Sequence, residues 1–266
     1  MNKRLLNVTD LSSYLYCPRK FFLEKIKGLR QPPTKPMIEG KIRHEVLEEF
    51  SNKEQEFIES LNVFEVKEIE NKFNELLRGL AGDVFSRNFG LIEKFEISRS
   101  ELHNKILEAM KQDIRLRAES ISATIKKGFI GKPLWDHLEP KYISEMPLMS
   151  ESLGLKGRAD RVMISGEKII PFELKTRAVE KVWPSDEIQL TSYAMLLEEK
   201  YNKNIPMGIL ESGNKKHEII ISEELKQKVN DLIKEINELM DSTNPRYPDN
   251  FSKCQKCSWE EECDNL

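Results

Sequence analysis

The sequence has no apolar run near the roughly 20 residues that a helix needs to span a bilayer. Its first ten residues carry two basic residues but no long apolar stretch behind them, so no signal peptide is expected. These absences predict a cytoplasmic protein without membrane contact.

The net charge is only −3, because 42 Lys and Arg nearly balance 45 Asp and Glu. A protein coated with positive charge is therefore excluded, and any DNA contact requires a local basic groove.

The 266 residues include only four cysteines, and three of them are crowded together. Cys254, Cys257 and Cys263 form C-x₂-C-x₅-C, whereas Cys17 stands more than 200 residues upstream. Cytoplasmic disulfides are disfavoured, so this clustering indicates a metal site rather than four unrelated thiols. Four thiolates can bind either zinc or an iron–sulfur cluster, and the spacing does not separate the two.

The first half of the sequence has mainly helical patterns. A helix over Leu11–Ile26, capped by Thr9 or Asp10, is predicted to be interrupted at Pro18. A second helix is predicted over Met37–Phe50. The charged residues 51–141 have helical periodicity and are predicted to form a helical insertion.

The second half has alternating strands and helices, which predicts an α/β fold with a mixed central sheet flanked by helices. Three strands are expected at 143–150, 155–164 and 169–175, then two at 205–211 and 218–221. Helices are expected from Ser185 to about Lys200 and from Glu223 to Met240, with Ser185 and Ser222 as their caps. The whole chain, 1–266, is interpreted as a single nuclease domain for the reasons that follow.

The second and third of these strands form a predicted hairpin that brings two carboxylates together. With a turn centred on Gly166 and Glu167, the register sets Asp160 opposite Glu173, with Cβ atoms about 5 Å apart. Carboxylates at that distance repel each other unless a cation such as Mg²⁺ lies between them. Lys175 projects from the same face as Glu173 and is suited to orient water and offset phosphate charge. Leu174 faces the other way, although its carbonyl can reach the metal.

Such triplets are common, and solvated surface residues are the alternative interpretation. Three further motifs favour a site: Gly40-x-x-x-His44, with an imidazole for the metal; Gly157-Arg158-Ala159-Asp160; and Gln189-x-x-x-Tyr193. In the second motif, glycine permits close approach of another backbone, and aspartate is a poor strand former. In the third, an amide and a phenol share one helix face.

These motifs, in this order, resemble the RecB-type branch of the PD-(D/E)XK nuclease superfamily, which has a restriction-endonuclease-like fold. The resemblance implies that His44, Asp160 and Glu173, with the Leu174 carbonyl, bind Mg²⁺ or Mn²⁺, and that Lys175 is the catalytic lysine. Gln189 and Tyr193 are then expected to support the site and contact DNA. Basic residues near the motifs are candidate DNA contacts: Lys41, Arg43, Arg158, Arg161, Arg177 and Lys181.

One cysteine before the nuclease core and three after it is the pattern of the iron–sulfur RecB-type nucleases. The resemblance thus implies a 4Fe–4S cluster on Cys17, Cys254, Cys257 and Cys263, clamping residues 11–26 to residues 244–266. The length, and the absence of a Walker-type helicase motif, favour the CRISPR-associated Cas-four exonucleases. The insertion at 51–141 lies outside the resemblance, and whether it is an arch over DNA, a lid or a partner surface stays open.

The sequence therefore predicts a metal-dependent exonuclease that acts on single-stranded DNA ends. By resemblance, it processes prespacers for CRISPR adaptation together with the integrase complex. A repair or phage recombination nuclease of the same fold is one alternative, and a non-catalytic DNA-binding adaptor is another. Cleavage polarity and a homo-oligomeric state are left open.

Overall fold

The computed structural model describes residues 4–175, 180–212, 215–241, 245–248 and 251–266. The chain divides into two units. The first, the nuclease unit, consists of Met1–Pro32, Met146–Ala159 and Ile169–Leu266; the second, the helical unit, consists of Pro33–Glu145 and Asp160–Lys168. No helix among the described residues is both long and apolar enough to cross a membrane.

The nuclease unit begins with a two-residue strand β1 (Leu6–Asn7), followed by helices α1 (Val8–Tyr16) and α2 (Pro18–Phe21) and a π-helical turn (Phe22–Ile26). Helix α1 starts earlier than predicted, because the Asp10 carboxylate accepts a hydrogen bond from the Asn7 backbone N–H at 2.9 Å. Asn7 is therefore the N-cap, and the prediction of Thr9 or Asp10 was wrong. The predicted new start at Pro18 is confirmed.

A six-stranded mixed sheet runs in the order β1-β3-β4-β5-β6, with β2 paired to β3. Its remaining strands are β2 (Lys141–Ser150), β3 (Leu155–Ser165), β4 (Lys168–Lys175), β5 (Met207–Ser212) and β6 (Lys215–Ile220). Strand β1 is parallel to β3, β4 is parallel to β5, and β6 is antiparallel to β5. The predicted α/β class with a mixed sheet is thus confirmed.

Helices α8 (Pro184–Tyr201) and α9 (Glu223–Met240) belong to the nuclease unit, where α8 packs against α1, α9 and β5. Ser222 caps α9 as predicted, since its hydroxyl accepts a hydrogen bond from the Leu225 N–H at 3.2 Å. The predicted Ser185 cap of α8 was wrong, because the N-cap is Trp183. The chain ends with a 3₁₀ turn (Phe251–Lys256) and the short helix α10 (Glu260–Asp264).

The helical unit contains α3 (Lys35–Glu59), α4 (Val66–Arg87), α5 (Phe89–Lys94), α6 (Arg99–Ile125) and α7 (Lys132–His137). Helix α4 packs against α6 and α3 around a core that includes the fully buried Ile42, Phe73 and Ile121. The helical pattern predicted for residues 51–141 is confirmed, although the unit extends beyond that range at both ends. These helices therefore share an apolar core of their own.

The predicted hairpin is confirmed, and each strand is one residue longer at the turn than predicted. Strand β3 ends at Ser165 and β4 begins at Lys168, leaving the two-residue turn Gly166-Glu167. Glu173 and Lys175 therefore lie near the end of β4. The register that sets Asp160 opposite Glu173 stays a prediction.

Candidate active site and cysteine centre

One group of candidate metal ligands lies in the helical unit. His44, on α3, has its Nδ1 2.6 Å from Glu145 Oε1 and 3.6 Å from Asp160 Oδ1. One ligand atom from each residue lies within 4.8 Å of the others. The side chains of His44, Glu145 and Asp160 are 29%, 12% and 13% exposed, so the group is accessible but largely screened from water. One imidazole and two carboxylates are a donor set suited to a divalent cation.

Glu145 is a site residue that the sequence reasoning missed. It lies in β2 with φ of +51°, in the left-handed region that residues with a side chain rarely adopt. A residue held there costs on the order of 1–3 kcal/mol and is found preferentially at functional sites. The conformation directs the carboxylate toward His44, which alternation along a strand does not predict.

A second group lies in the nuclease unit and is centred on Lys175. Its Nζ is 3.1 Å from Glu173 Oε1 and 3.0 Å from Asp186 Oδ1. Gln189 Nε2 donates a hydrogen bond of 2.6 Å to the other oxygen of the Glu173 carboxylate, Oε2. Glu173 and Asp186 are 6% and 5% exposed, so both charges depend on these partners. The structure thus brings Glu173, Lys175 and Gln189 together as expected, and it adds Asp186.

The carboxylates of the two groups raise the pKa values of His44 and Lys175. Burial disfavours the protonated imidazole, but contact with Glu145 and the charge of Asp160 outweigh burial and raise the pKa of His44. Burial likewise disfavours the Lys175 ammonium, but the charges of Glu173 and Asp186 raise its pKa. Both sets of carboxylates therefore attract a cation, and Lys175 is held in its charged form.

Glycine is needed at position 157 because two side chains pack closely against it. The prediction that another backbone approaches this glycine was wrong. A Cβ at this position would lie 2.9 Å from Tyr193 Cε1 and 3.0 Å from Val8 Cγ2, closer than real Cβ contacts. The Tyr193 ring is only 2% exposed, which fits a supporting role in which it packs on β3; a DNA contact by Tyr193 stays a prediction. Leu174 is half-buried, and Arg158 is exposed.

The basic residues expected to contact DNA do not all face solvent. Arg161 is 7% exposed, and its Nη1 is 2.7 Å from Asp113 Oδ2. Arg161 alternates with Asp160 and points to the opposite face, so the expectation of a DNA contact was wrong for it. Lys41 and Lys181 are exposed and Arg43 is half-buried, whereas Arg177 lies outside the described residues.

The four cysteines come together in the nuclease unit. Cys17, Cys254, Cys257 and Cys263 all line one cavity of about 150 Å³, whose wall also includes aromatic residues. The Lys20 backbone N–H points at Cys17 Sγ, with a nitrogen–sulfur distance of 3.4 Å. Four sulfurs from the two ends of the sequence around one cavity are a donor set for a metal centre.

Contacts beside the cavity also tie the tail to the N-terminal helices. The Trp259 indole Nε1–H donates a 2.9 Å hydrogen bond to Glu24 Oε1, and Lys253 Nζ donates one of 3.0 Å to the Tyr16 carbonyl. The predicted clamp range 11–26 and 244–266 includes residues 244, 249 and 250, which lie outside the described residues.

The surroundings of Cys254 and Cys263 oppose ionisation of these two thiols. Burial, followed by the neighbouring sulfurs, raises the pKa of Cys254. Burial also raises the pKa of Cys263, against the opposing charge of Arg19. A positive metal centre would offset both effects, because the thiolate is the form that binds metal.

Comparison with known proteins places this arrangement in a family. Residues 5–264 match the model of the PD-(D/E)XK nuclease superfamily, which is nearly the whole chain. The chain belongs to this superfamily. The resemblance carried by the sequence motifs is confirmed at the level of the superfamily.

Two known proteins are similar to large parts of this chain. A CRISPR-associated exonuclease Cas4/endonuclease Cas1 fusion from Leptospira interrogans is 32% identical over 154 residues, 53% of this chain and 28% of the fusion. The DNA replication ATP-dependent helicase/nuclease dna2 of Schizosaccharomyces pombe is 22% identical over 223 residues, 78% of this chain and 14% of that protein. The chain thus spans less than a third of either relative.

A crystal structure of SSO0001 aligns with 100% of this chain and 88% of its own, at 16% identity and a TM-score of 0.40. The superfamily assignment depends on the family match over residues 5–264 and not on this structure.

Proposed function

We propose that this nuclease is a metal-dependent exonuclease that degrades single-stranded DNA from its ends. The observation that carries the proposal is the Glu173–Lys175–Gln189 constellation, in a chain of this superfamily. Lys175 holds a positive charge beside a buried carboxylate, where a phosphate in the transition state would need it.

The ligands that we propose for Mg²⁺ or Mn²⁺ are His44, Asp160 and Glu173, with the Leu174 carbonyl, as the family motifs imply. The proximity of His44 to Asp160 supports this assignment, and Glu145 adds a carboxylate to the same group. A bound divalent cation would supply a Lewis acid and a polarised water.

The protein's own residues have separate parts in this proposal. Gln189 donates a hydrogen bond to one oxygen of the Glu173 carboxylate. This bond orients the carboxylate before a metal ion binds. Lys175 orients the attacking water and offsets the charge that develops on the phosphate. Gln189 and the buried Tyr193 keep β4 and β3 packed against helix α8, and exposed Arg158 is a proposed DNA contact.

We further propose that the four cysteines hold a 4Fe–4S cluster that clamps the tail to the N-terminal helices. The convergence of all four on one cavity supports a shared metal centre, and the resemblance to the iron–sulfur RecB-type nucleases favours a 4Fe–4S cluster over a single ion. Iron and sulfide analysis of anaerobically purified protein tests this assignment. Zinc in place of iron would contradict it.

For the biological role, we propose prespacer processing in CRISPR adaptation, with the integrase as partner. The relative that fuses a Cas4 exonuclease with a Cas1 endonuclease supports this role. A replication or repair role is the second candidate, favoured by the similarity to the dna2 helicase/nuclease. Co-purification with a Cas1-type integrase supports the first role, and its absence under conditions that preserve activity supports the second.

Cleavage of a linear strand labelled at either end, compared with a circular single strand, tests the exonuclease proposal. The linear strand should shorten progressively from one labelled end while the circle stays intact. Asp160→Ala, Glu173→Ala and Lys175→Ala should each abolish cleavage while keeping the fold. Rapid cutting of the circle would contradict exonuclease action, and full activity of any variant would contradict the mechanism.

A further inference from the structure

The loop between α6 and α7 carries a dense basic charge that the proposed site does not use. The name tip loop is used for Lys126–Lys132, which are the six residues of this loop and the first residue of α7. Its sequence, KKGFIGK, has three lysines in seven residues. All three are exposed. Among the described residues, no carboxylate lies within ion-pairing distance of Lys126, Lys127 or Lys132. The charge of the loop is therefore available to an external anion.

The backbone of the tip loop is fixed by two glycines and an aromatic stack. Gly128 and Gly131 have φ of +93° and +61°, a region that favours glycine. Phe129 stacks on His137 with ring centroids 3.8 Å apart and an interplanar angle of 17°. The stack holds Phe129 half-buried, and the next side chain, Ile130, is 62% exposed at the tip. A loop shaped in this way presents its lysines and one apolar side chain to solvent.

We infer that the tip loop is a DNA contact of the helical unit, with its lysines on phosphates and Ile130 against a base. This inference rests on the proposed function, because the nucleic acid is the nuclease substrate. Phosphate contacts by lysine supply most of the sequence-independent affinity for DNA. Some DNA-binding proteins insert an apolar side chain, isoleucine among them, between adjacent bases.

An anionic membrane is the other polyanion that such a charge would attract. Membrane binding at an interface requires a broad apolar face, because its strength scales with the apolar area buried. The tip loop exposes Ile130 but keeps Phe129 in the stack. The apolar area is therefore too small for a membrane anchor and sufficient for contact with one base.

Salt dependence of binding provides the test. The probe is a labelled oligothymidine strand, with EDTA present so that no cleavage occurs. Each phosphate contact contributes a slope of about 0.7 in log K against log salt for single strands. The triple variant Lys126→Ala/Lys127→Ala/Lys132→Ala should therefore lower the slope by about 2. Ile130→Ser should weaken binding without changing the slope.

The control is Lys53→Ala/Lys67→Ala/Lys111→Ala, which removes the same charge from exposed, same-helix ion pairs of the same unit. It should leave the slope near that of the wild type. An unchanged slope in the tip-loop triple variant, or an equal fall in the control, would overturn the inference. Loss of binding to phosphatidylserine vesicles, with DNA binding intact, would overturn it in favour of a membrane.

Cleavage of the same strand with Mn²⁺ at low salt separates this inference from the proposed function. The tip-loop triple variant should reach the wild-type rate at saturating DNA, because it changes binding and not the reacting groups. If the wild type cuts and binds the strand while the triple variant keeps the full slope, only the tip-loop inference fails. A wild type that neither binds nor cuts would overturn both.

Discussion

Asp186→Asn removes a charge that holds the proposed catalytic lysine while keeping the size of the side chain. Asp186 is 5% exposed and its Oδ1 lies 3.0 Å from Lys175 Nζ. Its second oxygen accepts a hydrogen bond of 3.2 Å from the Trp183 backbone N–H. Asparagine has a single acceptor oxygen and can preserve only one of these contacts.

The size of the effect follows from the charge and burial of the pair. A hydrogen bond between charged groups is worth about 1.5–3 kcal/mol. If the stabilisation from this hydrogen bond is lost mainly in the transition state, cleavage should slow by about 10- to 150-fold. Loss of the cap at Trp183 adds a fold destabilisation of about 0.5–2 kcal/mol.

Single-turnover cleavage at saturating DNA is the assay, and denaturant unfolding measures the stability change separately. Glu187→Gln is the matched control, because it removes the same charge from the same helical turn without a contact to Lys175. The control should cleave within twofold of the wild type. A rate for Asp186→Asn within that same range would refute the positioning role of Asp186.

Three further predictions concern packing, the cysteine centre and the helical unit. Gly157→Ala should lower the free energy of unfolding by about 1–3 kcal/mol through overpacking against Tyr193, measured by urea denaturation; an unchanged midpoint would contradict the contact. Cys254→Ala should yield colourless protein with a lower Tm, and retained visible absorbance would contradict its role as a ligand. In the helical unit, Arg117 Nε lies 2.7 Å from Glu54 Oε1, and both side chains are 7% exposed. Glu54→Ala should cost about 3–5 kcal/mol because it leaves the buried Arg117 charge without its carboxylate. Glu54→Met/Arg117→Met should restore most of that loss, and equal stabilities of the two variants would contradict this.

The β3–β4 hairpin could be predicted because its signals are local. A two-residue turn between alternating strands fixes which residues share a face, so the bounds of β3 and β4 followed from the pattern. The motif order then added His44, Gln189 and the cysteines, which are far apart in the sequence. Proximity of His44 to Asp160, and of Gln189 to Glu173, agrees with that expectation.

Two site residues were missed for different physical reasons. Asp186 lies at the third position of α8, where an acidic residue is ordinarily interpreted as a capping residue, and its contact with Lys175 depends on how α8 packs. Glu145 depends on one positive φ within a strand, which no side-chain pattern encodes. Both errors come from tertiary geometry rather than from local propensity.

The wrong prediction for the start of helix α1 has a simpler cause. Strand β1 has two residues, too few for any alternation to show, so the start of α1 and its Asn7 cap could not be found.

Arg161 was expected to contact DNA because of its charge alone. Strand alternation points it away from Asp160, and Asp113 neutralises it at 2.7 Å.

The proposed cleavage of DNA by a divalent cation together with the Glu173–Lys175 pair is tested by the rate at which an end-labelled single strand is cut as Mn²⁺ is titrated. The wild type is compared with Glu173→Gln, and Glu151→Gln is an exposed control. The wild type and the control should show saturable activation that EDTA abolishes, and Glu173→Gln should be slower by at least about 100-fold at every Mn²⁺ concentration. Cleavage that persists in EDTA, or a Glu173→Gln rate equal to the wild type, would contradict the claim.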